Sequence, residues 1–338
     1  MIERLGVKLE TQQALGRDFT LADLKDRGYE AVFLAVGAPQ GLGLEGVPGA
    51  DARGIVDALA FLRQYNIRGS VPVGRQVVVI GGGNAAIDAA RTAIRLGAER
   101  VTVLYRRTRD EMPAYAEEIE EAIQEGVILR TLIHPESFEI QDGHVTGLRC
   151  RQMKLGEFDR TGRRRPEKDE KASYEIVPAD QVIVAIGQSL NARALCRPFE
   201  IELTDRGWIK ADPRTGATSI PWLFAGGDAV SGPSSVAEAI GAGERAAVAI
   251  DAWLTGERHA FWRTYRTPST GFDPTADPSR DPREQLPALP VERRRHNFTE
   301  VELPWNESTA IRQAKRCLRC DYGKPTAAEE EQTEAPAT

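Results

Sequence analysis

The chain has 338 residues, enough for two domains or for one domain with an insertion. Its net charge of −6 argues against general nucleic-acid binding, and its four cysteines are too few for a disulfide framework. No stretch approaches the roughly 18 apolar residues of a membrane span, and residues 1–10 lack the apolar core of a signal peptide. We therefore expect a cytoplasmic protein with no membrane span and no nucleic-acid partner.

The first 70 residues predict short elements around one buried strand. Val7 to Leu9 predicts a short strand, and residues 21–27 predict a short helix. Residues 29–37 are largely apolar and end on glycine, which predicts a buried strand. The spacing of apolar residues over positions 55–65 predicts a helix.

A strand, a glycine turn, a helix and a second strand follow in order over residues 76–107. The turn has G-x-G-x-x-A spacing, which is typical of a dinucleotide-binding unit. Gly81 permits the tight turn, Gly83 lets the backbone approach a diphosphate, and Ala86 lets the helix pack closely on the strand. The freed N–H groups and the positive helix end then face the phosphates. The residues predicted to contact the cofactor here are Gly81, Gly82, Gly83, Asn84, Ala85 and Ala86.

The end of the second strand predicts which dinucleotide binds. An NAD site usually has an acidic residue there, about 20 residues past the glycines, which binds the ribose 2′-hydroxyl. This chain has Arg106 and Arg107 instead, with Arg109 close by. Guanidinium groups suit a 2′-phosphate, so NADPH is favoured. Asp110 and Glu111 follow and are able to pair with the arginines, which leaves a solvated strand end and NADH open.

The middle of the chain predicts a surface helix, a set of strands and a long loop. Residues 117–125 predict the helix, and residues 127–132 predict the first of the strands. Asp142-Gly143 is a hairpin signal. The highly charged stretch 154–173 predicts a loop.

A second apolar strand, over residues 181–187, ends on Gly187 just as the earlier strand ends on Gly37. These two strands bracket the fingerprint unit, so we expect one domain to be inserted into another. Beyond them, a strand ends at Gly226-Gly227-Asp228, and Ser235 precedes an Ala-rich helix that reaches Leu254. Small side chains on that helix permit close approach to a partner element or a ligand.

Cys317 and Cys320 form a C-x-x-C pair near the end of a predicted helix over residues 306–320. The pair is either half of an iron–sulfur or zinc site, a redox dithiol favoured by neighbouring arginines, or two inert thiols. Cys150 and Cys196 are isolated, so a complete cluster within the chain is not expected. We favour a metal site, such as a 4Fe-4S cluster, shared with a partner or with missing sequence.

Together these segments resemble the flavin-dependent pyridine-nucleotide oxidoreductases, and most closely the glutamate synthase small-subunit family. The motifs that carry the resemblance are VVVIGGGNAAIDAARTA, VTVLYRRTRDEMPA, VIVAIGQSLN, LFAGGDAVSGPSSVAEAIGAGERAA and AKRCLRCD. The resemblance implies an α/β fold in which a Rossmann-like NAD(P)H-binding domain is inserted into an FAD-binding domain. The implied division is listed here in chain order: residues 1–72 first part of the FAD domain, 73–188 NAD(P)H domain, 189–256 last part of the FAD domain, 257–325 Pro-rich arm with the C-x-x-C helix, and 326–338 disordered tail.

The resemblance also implies roles at the FAD site. Gly187 and Gly227 belong to the return into the FAD domain, and Asp228 hydrogen-bonds a ribityl hydroxyl. The helix after Ser235 points its positive end at the flavin pyrimidine edge, with the backbone of Val236 as the contact. Members of this family carry an earlier glycine fingerprint for the FAD diphosphate, and we expect none before Gly81. The sequence is then either a truncated reading of a longer protein, which we favour, or one subunit whose partner supplies that half.

The implied function is an oxidoreductase that passes a hydride from NADPH to FAD and electrons onward. The acceptor would be a larger partner subunit, resembling the glutamate synthase large subunit or another redox protein, or an iron–sulfur centre. Hydride transfer depends on proximity and water exclusion more than on an acid or a base, which fits the lack of any catalytic triad pattern. The alternative is a non-catalytic nucleotide-binding scaffold in an electron-transfer complex.

Overall fold

The computed structural model describes residues 2–159, 162–257, 259, 282–314 and 316. The chain divides into two compact units. The first contains Met1–Ala260 and Arg295–Asn297, and the second contains Phe261–Arg294 and Phe298–Thr338. Most of the predicted Pro-rich arm, the Cys317–Cys320 pair and the predicted disordered tail lie outside the described residues.

Strands and helices alternate through much of the first unit. The strands are β1 (Val32–Leu34), β2 (Gln40–Gly41), β3 (Ile55–Asp57), β4 (Gln76–Ile80), β5 (Arg100–Tyr105), β6 (Ile128–Thr131), β7 (Ile133–Gln141), β8 (His144–Phe158), β9 (Arg164–Lys168), β10 (Glu175–Pro178), β11 (Gln181–Val184), β12 (Gln188–Ser189) and β13 (Leu223–Ala225). The helices are α1 (Leu21–Asp26), α2 (Ala58–Arg68), α3 (Asn84–Arg95), α4 (Ala116–Gln124), α5 (Ala192–Leu195), α6 (Asp228–Ser231), α7 (Val236–Thr255), and, in the second unit, α8 (Val291–Arg294) and α9 (Glu307–Ala314).

The largest of the described sheets is parallel and has five strands, in the order β3-β11-β4-β5-β6. Its strand β4 is buried on both faces, as its unbroken run of β-branched residues predicts. Val77 and Val79 pack with α2, α3 and α4 on one face. Val78 and Ile80 pack with an antiparallel sheet on the other. The result is three layers: helices, parallel sheet and antiparallel sheet.

The antiparallel layer has the order β10-β8-β7, and β9 pairs with the far end of β8. Asp142 and Gly143, between β7 and β8, have φ angles of 53° and 78°. A tight two-residue hairpin turn requires two successive residues with positive φ, because that turn matches the right-handed twist of the flanking strands. The predicted hairpin is therefore confirmed.

A smaller core surrounds the parallel pair β1-β13, in which Val32 lies beside Leu223. Leu21, Leu34 and Ile209 are among the residues buried in it. The chain leaves this region through β2 and returns through β12, and these two strands pair with each other antiparallel. The large sheet is therefore inserted between two adjacent crossings, as the two glycine-ended strands predict.

Three sequence predictions about local structure were wrong. Residues 7–9 form no strand and are exposed. The predicted helix at residue 55 begins at Ala58, because Ile55–Asp57 extends the parallel sheet as β3 beside β11. The predicted loop over 154–173 contains the end of β8 and all of β9. This ribbon is largely exposed, so its charges are compatible with strand pairing.

The predicted domain boundary at residues 72 and 73 differs from the edge of the parallel sheet. β3 and α2 precede that boundary, yet β3 pairs with β11 and α2 packs in the same core as α3. We propose that the inserted domain begins after the β2 crossing. The other predicted boundaries stay predictions.

An ion-pair network fastens α3 to the end of α4. Glu125 is fully buried and accepts hydrogen bonds from Arg91 and Arg95, with Nη2–Oε1 distances of 2.7 and 3.1 Å. Arg91 also pairs with Glu121. Removing one member of such a group leaves buried charge without compensation.

We predict that Glu125→Ala lowers the free energy of unfolding by about 3–5 kcal/mol, because two arginines lose their common partner. The matched control is Glu120→Ala, which removes an exposed pair with Arg109 and should cost less than about 1 kcal/mol. Urea unfolding of both variants measures the difference. Equal losses would contradict the buried network.

Candidate functional site

The turn after β4 is built so closely that two of its glycines cannot be replaced without displacement. Gly81 has a φ of 148°, and a Cβ atom there would overlap the carbonyl oxygen of Ala185 at the end of β11. A Cβ atom on Gly82 would lie 2.5 Å from the ring of Tyr105, at the end of β5. Three neighbouring strands thus meet around this turn, and glycine permits their approach.

The third glycine of the turn is open instead. A Cβ atom on Gly83 would meet only Pro113 Cγ, at 3.8 Å, and its φ of −91° suits any residue. Gly83 is the N-cap of α3, and no side chain caps the helix. The backbone N–H groups of Asn84 and Ala85 donate to no described residue. Unpaired N–H groups and the positive helix end create a site suited to an anion.

Residues that follow β5 hold the turn in place. Ala114 N–H donates to Gly82 O at 3.1 Å, and Tyr115 N–H donates to Asn84 Oδ1 at 3.1 Å. The hydroxyl of Tyr105 donates to Glu111 O at 2.8 Å. The side-chain oxygen of Asn84 therefore has a structural partner. The sequence analysis missed these contacts, because those of Ala114 and Tyr115 join residues about 30 positions apart.

The two predicted arginines at the end of β5 differ in their surroundings. Arg106 is exposed and has no hydrogen bond or ion pair with a described residue. Arg107 is buried, and it donates from Nε to Arg164 O at 2.7 Å and from Nη2 to Asp159 Oδ2 at 3.0 Å. Partial desolvation and the like charges of Arg107 and Arg163 lower the pKa of Arg106. An anion bound here would relieve that repulsion.

A second candidate site is a cleft of about 220 Å³ beside the β1-β13 pair. Its lining residues come from the end of β1, the turn after β13 and the first turn of α7, and are Phe33, Ala35, Gly37, Gly226, Gly227, Asp228, Ser234, Ser235, Val236 and Ala239. Four predicted site residues, Gly227, Asp228, Ser235 and Val236, are thus brought together.

Some of the polar groups of this cleft make hydrogen bonds within the protein. Asp228 Oδ1 accepts the amide of Ser234 at 3.1 Å, whereas Oδ2 has no described partner. Ser235 caps α7, and its hydroxyl accepts the amide of Glu238 at 3.2 Å. Val236 follows with 76% of its surface exposed, so the first turn of α7 is open to a ligand. Gly227 has a φ of 64°, which a side chain would strain.

Gly187 lies apart from that cleft, in the return crossing between β11 and β12. Its carbonyl oxygen accepts the amide of Leu42 at 3.0 Å, and a Cβ atom there would lie 2.9 Å from Leu42 Cδ1. The expectation that no G-x-G-x-x-G run precedes Gly81 was wrong as a statement of spacing, since Gly41 to Gly46 match it. That run begins in β2 and leads into turns rather than a helix, so it lacks the phosphate-binding geometry.

The cysteines that the structure describes are unreactive. Cys150 and Cys196 are free and buried in different cores. Burial raises their pKa to about 12 and about 11, respectively, so both remain protonated thiols near neutral pH. No cluster of ligands for a metal occurs among the described residues. Likewise, none of the described helices is long and apolar enough to cross a membrane.

The family model for the pyridine nucleotide-disulphide oxidoreductases matches residues 4–243. The chain belongs to this family. Its members bind FAD and NAD(P)H, which confirms the predicted pair of cofactors at the level of the family.

Three relatives indicate the branch of the family. The chain is 39% identical to the NADP(+)-dependent formate dehydrogenase subunit beta of Moorella thermoacetica, over 94% of this chain and 46% of the relative. It is 34% identical to the NADPH-Fe(3+) oxidoreductase subunit beta of Geobacter sulfurreducens, over 95% of this chain and 52% of the relative. It is 37% identical to the glutamate synthase (NADPH) small chain of Escherichia coli, over 74% of this chain and 56% of the relative. The resemblance to glutamate synthase small subunits is confirmed, and the chain spans about half the length of these relatives.

Solved structures with the same fold include two thioredoxin reductases. Those of T. acidophilum and Lactococcus lactis both have a TM-score of 0.50, at 21% and 22% identity. They cover 65% and 67% of this chain, and 64% and 67% of their own chains. At this identity the likeness concerns the fold alone, and it confirms the predicted α/β class.

We predict that Gly81→Ala lowers the melting temperature strongly, because the new methyl group overlaps the β11 backbone in a conformation that alanine disfavours. The matched substitution, Gly83→Ala, has open space and ordinary backbone angles and should leave the melting temperature unchanged. Thermal unfolding of the two variants measures this contrast. An equally strong loss in both would contradict the geometry of the turn.

Proposed function

We propose that this chain is the electron-input module of a larger oxidoreductase, in which NADPH reduces FAD and electrons pass to a partner. The observation that supports this most is the uncapped glycine turn with an unpaired arginine nearby. The turn offers N–H groups to a diphosphate, and Arg106 offers a cation to an additional phosphate. Bound together, the two cofactors supply hydride transfer from nicotinamide to flavin.

The nucleotide end of the proposed site uses the residues predicted from the fingerprint. Gly83, Asn84 and Ala85 would bind the diphosphate through the backbone, while Gly81, Gly82 and Ala86 permit the approach of strand, turn and helix. Gly83 fits this role because its face is open where Gly81 and Gly82 are enclosed. Arg106 would bind the 2′-phosphate. Arg107 would support it from behind through its charge.

The flavin end of the proposed site uses the cleft at α7. Asp228 would bind a ribityl hydroxyl through Oδ2, and the exposed first turn of α7 would direct N–H groups at the pyrimidine edge. The described cleft is large enough for only part of FAD, and Gly187 lies outside it. The role of Gly187 would be to shape the return crossing between β11 and β12, beside the site.

The onward acceptor is a partner subunit in this proposal, resembling the glutamate synthase large subunit or another redox protein. Two relatives carry the name subunit beta, which supports a multi-subunit assembly. Cys317 and Cys320 would contribute to a shared 4Fe-4S cluster in that assembly, and they lie outside the described residues. Cys150 and Cys196 lie in different cores and their thiols stay protonated near neutral pH, so these two cysteines do not form a redox dithiol.

We predict that Arg106→Gln weakens NADPH binding by about tenfold and leaves NADH binding unchanged, because one charge-assisted contact to the 2′-phosphate is lost. Arg100→Gln, at the opposite end of β5, is the control and should change neither. Titration calorimetry of the full chain with each nucleotide measures both affinities. Equal loss of NADPH and NADH binding would contradict the assignment.

We predict that Asp228→Ala lowers the affinity for FAD by roughly tenfold, since a charged acceptor in the cleft is removed. Quenching of flavin fluorescence during titration measures the affinity. Asp212→Ala is a control, because its carboxylate caps a turn outside the cleft. Unchanged FAD affinity in Asp228→Ala would remove the flavin cleft from the proposal.

The alternative, a nucleotide-binding scaffold without catalysis, makes a different prediction for the same samples. In dye-reduction assays with added FAD, the proposed module should reduce the dye with NADPH in preference to NADH. Saturable NADPH binding with no FAD binding and no dye reduction would favour the scaffold.

A further inference from the structure

The segment that follows β5 joins the two places where phosphates are proposed to bind. Arg106 is its first residue. The segment returns to the glycine turn, where Tyr115 N–H donates to Asn84 Oδ1 and Ala114 N–H donates to Gly82 O, both at 3.1 Å. Between the 2′-phosphate and the diphosphate of a nucleotide lies its adenosine. This segment, residues 106–115, therefore borders the proposed position of the adenosine.

Hydrogen bonds and apolar packing hold the segment in place without a ligand. Glu111 Oε2 accepts the amide and the hydroxyl of Thr108, at 3.2 and 2.9 Å. The hydroxyl of Tyr105 donates to Glu111 O at 2.8 Å. Met112 and Ala114 are buried in the same core as α3. A surface on this segment is thus preorganised, so little conformational entropy is lost when a ligand binds to it.

Burial alternates along the last four residues of the segment. Met112 and Ala114 are buried, whereas the two residues that follow them, Pro113 and Tyr115, are exposed. In an extended chain, residues two positions apart lie on the same face. Pro113 Cγ lies 3.8 Å from the point that a Cβ atom on Gly83 would occupy. The face that Pro113 and Tyr115 share is therefore the face beside the open glycine of the turn.

The side chain of Tyr115 has no partner among the described residues. The residue is 61% exposed, and no described residue forms a hydrogen bond with its hydroxyl or a ring contact with its phenol. Its backbone is fixed by Asn84, so the ring is an exposed apolar surface on a rigid support. Aromatic rings of this kind bind nucleobases by stacking, because every base has a flat apolar face.

We infer that the ring of Tyr115 packs against the adenine of the bound nucleotide. This inference rests on the proposed function and adds recognition of the base to the two phosphate contacts. Adenine is common to NADPH and NADH, so Tyr115 strengthens the binding of both. Arg106 then decides between them through the 2′-phosphate.

The experiment uses the full chain and two probes, 5′-AMP and 2′,5′-ADP, which share adenine and differ only in the 2′-phosphate. Titration calorimetry compares wild type with Tyr115→Ala, Tyr115→Phe and the control Tyr29→Ala. Tyr29 is 52% exposed and lies outside both proposed sites. Tyr115→Ala should bind both probes about tenfold more weakly and leave the ratio of their affinities unchanged. Tyr115→Phe keeps the ring and should bind as wild type does, as should Tyr29→Ala.

Each outcome decides a different statement. If wild type binds neither probe, the proposed nucleotide site itself fails. If wild type binds both and Tyr115→Ala binds them equally tightly, the role of Tyr115 is overturned while the proposed function stands. A loss confined to 2′,5′-ADP would place Tyr115 at the phosphate and overturn its contact with the base. Equal losses in Tyr115→Ala and Tyr115→Phe would assign the effect to the hydroxyl and overturn the packing of the ring.

Thermal unfolding of the same variants excludes a loss of folding as the cause. The side chain of Tyr115 is exposed, so its removal should leave the melting temperature close to that of wild type. A large fall in the melting temperature of Tyr115→Ala, but not of Tyr29→Ala, would show that the ring supports the fold and would overturn the inference.

Discussion

The limited space around the end of β4 is the constraint on which the proposed nucleotide site depends. The backbone of Gly81 lies against Ala185, the residue that follows β11, and the ring of Tyr105 on β5 covers Gly82. Side chains at these two positions would separate the strands on either side of β4. Because the enclosed glycines keep the strands together, the one open glycine, Gly83, is directed outward at the start of α3. The proposed anion site would therefore be a consequence of strand packing rather than of the loop alone.

The alternation of side chains along β4 extends this constraint across the unit. Val77 and Val79 fix the helical layer, while Val78 and Ile80 fix the antiparallel sheet. The antiparallel sheet includes β8, which continues into the ribbon with β9. Apolar packing thus determines where the charged turn of that ribbon lies. Hydrogen bonds from Arg107 then fasten it locally, at the strand end that also carries Arg106.

Sequence patterns predicted the features that depend on neighbouring residues. The glycine turn, α3, and the Asp142-Gly143 hairpin each follow from a short run whose conformational preference is strong. Pairing with distant strands was harder to predict. β3 adds three residues to a sheet that is otherwise formed by later segments, so its local helical pattern was misleading. β9 is charged, and its pairing depends on β8 rather than on burial.

The site residues follow the same division. Glycines of the fingerprint were recognisable, because a tight turn needs glycine wherever it occurs. The distinct surroundings of Arg106 and Arg107 were not, since adjacent arginines look alike in sequence and the partners of Arg107, Asp159 and the carbonyl oxygen of Arg164, are distant along the chain. No local signal marks a contact over that distance. The one available clue was the run of charged residues over 154–173. Because we interpreted that run as a loop, we did not predict its contacts with Arg107.

The chemistry proposed for this chain explains why its two sites carry so few acid–base groups. In the proposed reaction a hydride would move directly between two bound rings, so the protein would align them and compensate charge rather than transfer protons. At the proposed nucleotide site, Arg106 and helix amides would compensate phosphates. At the proposed flavin site, the start of α7 and Asp228 would offer a dipole and one acceptor. The described thiols stay protonated in separate cores and form no dithiol, so backbone geometry and fixed charge would be the means by which the described residues control the proposed transfer.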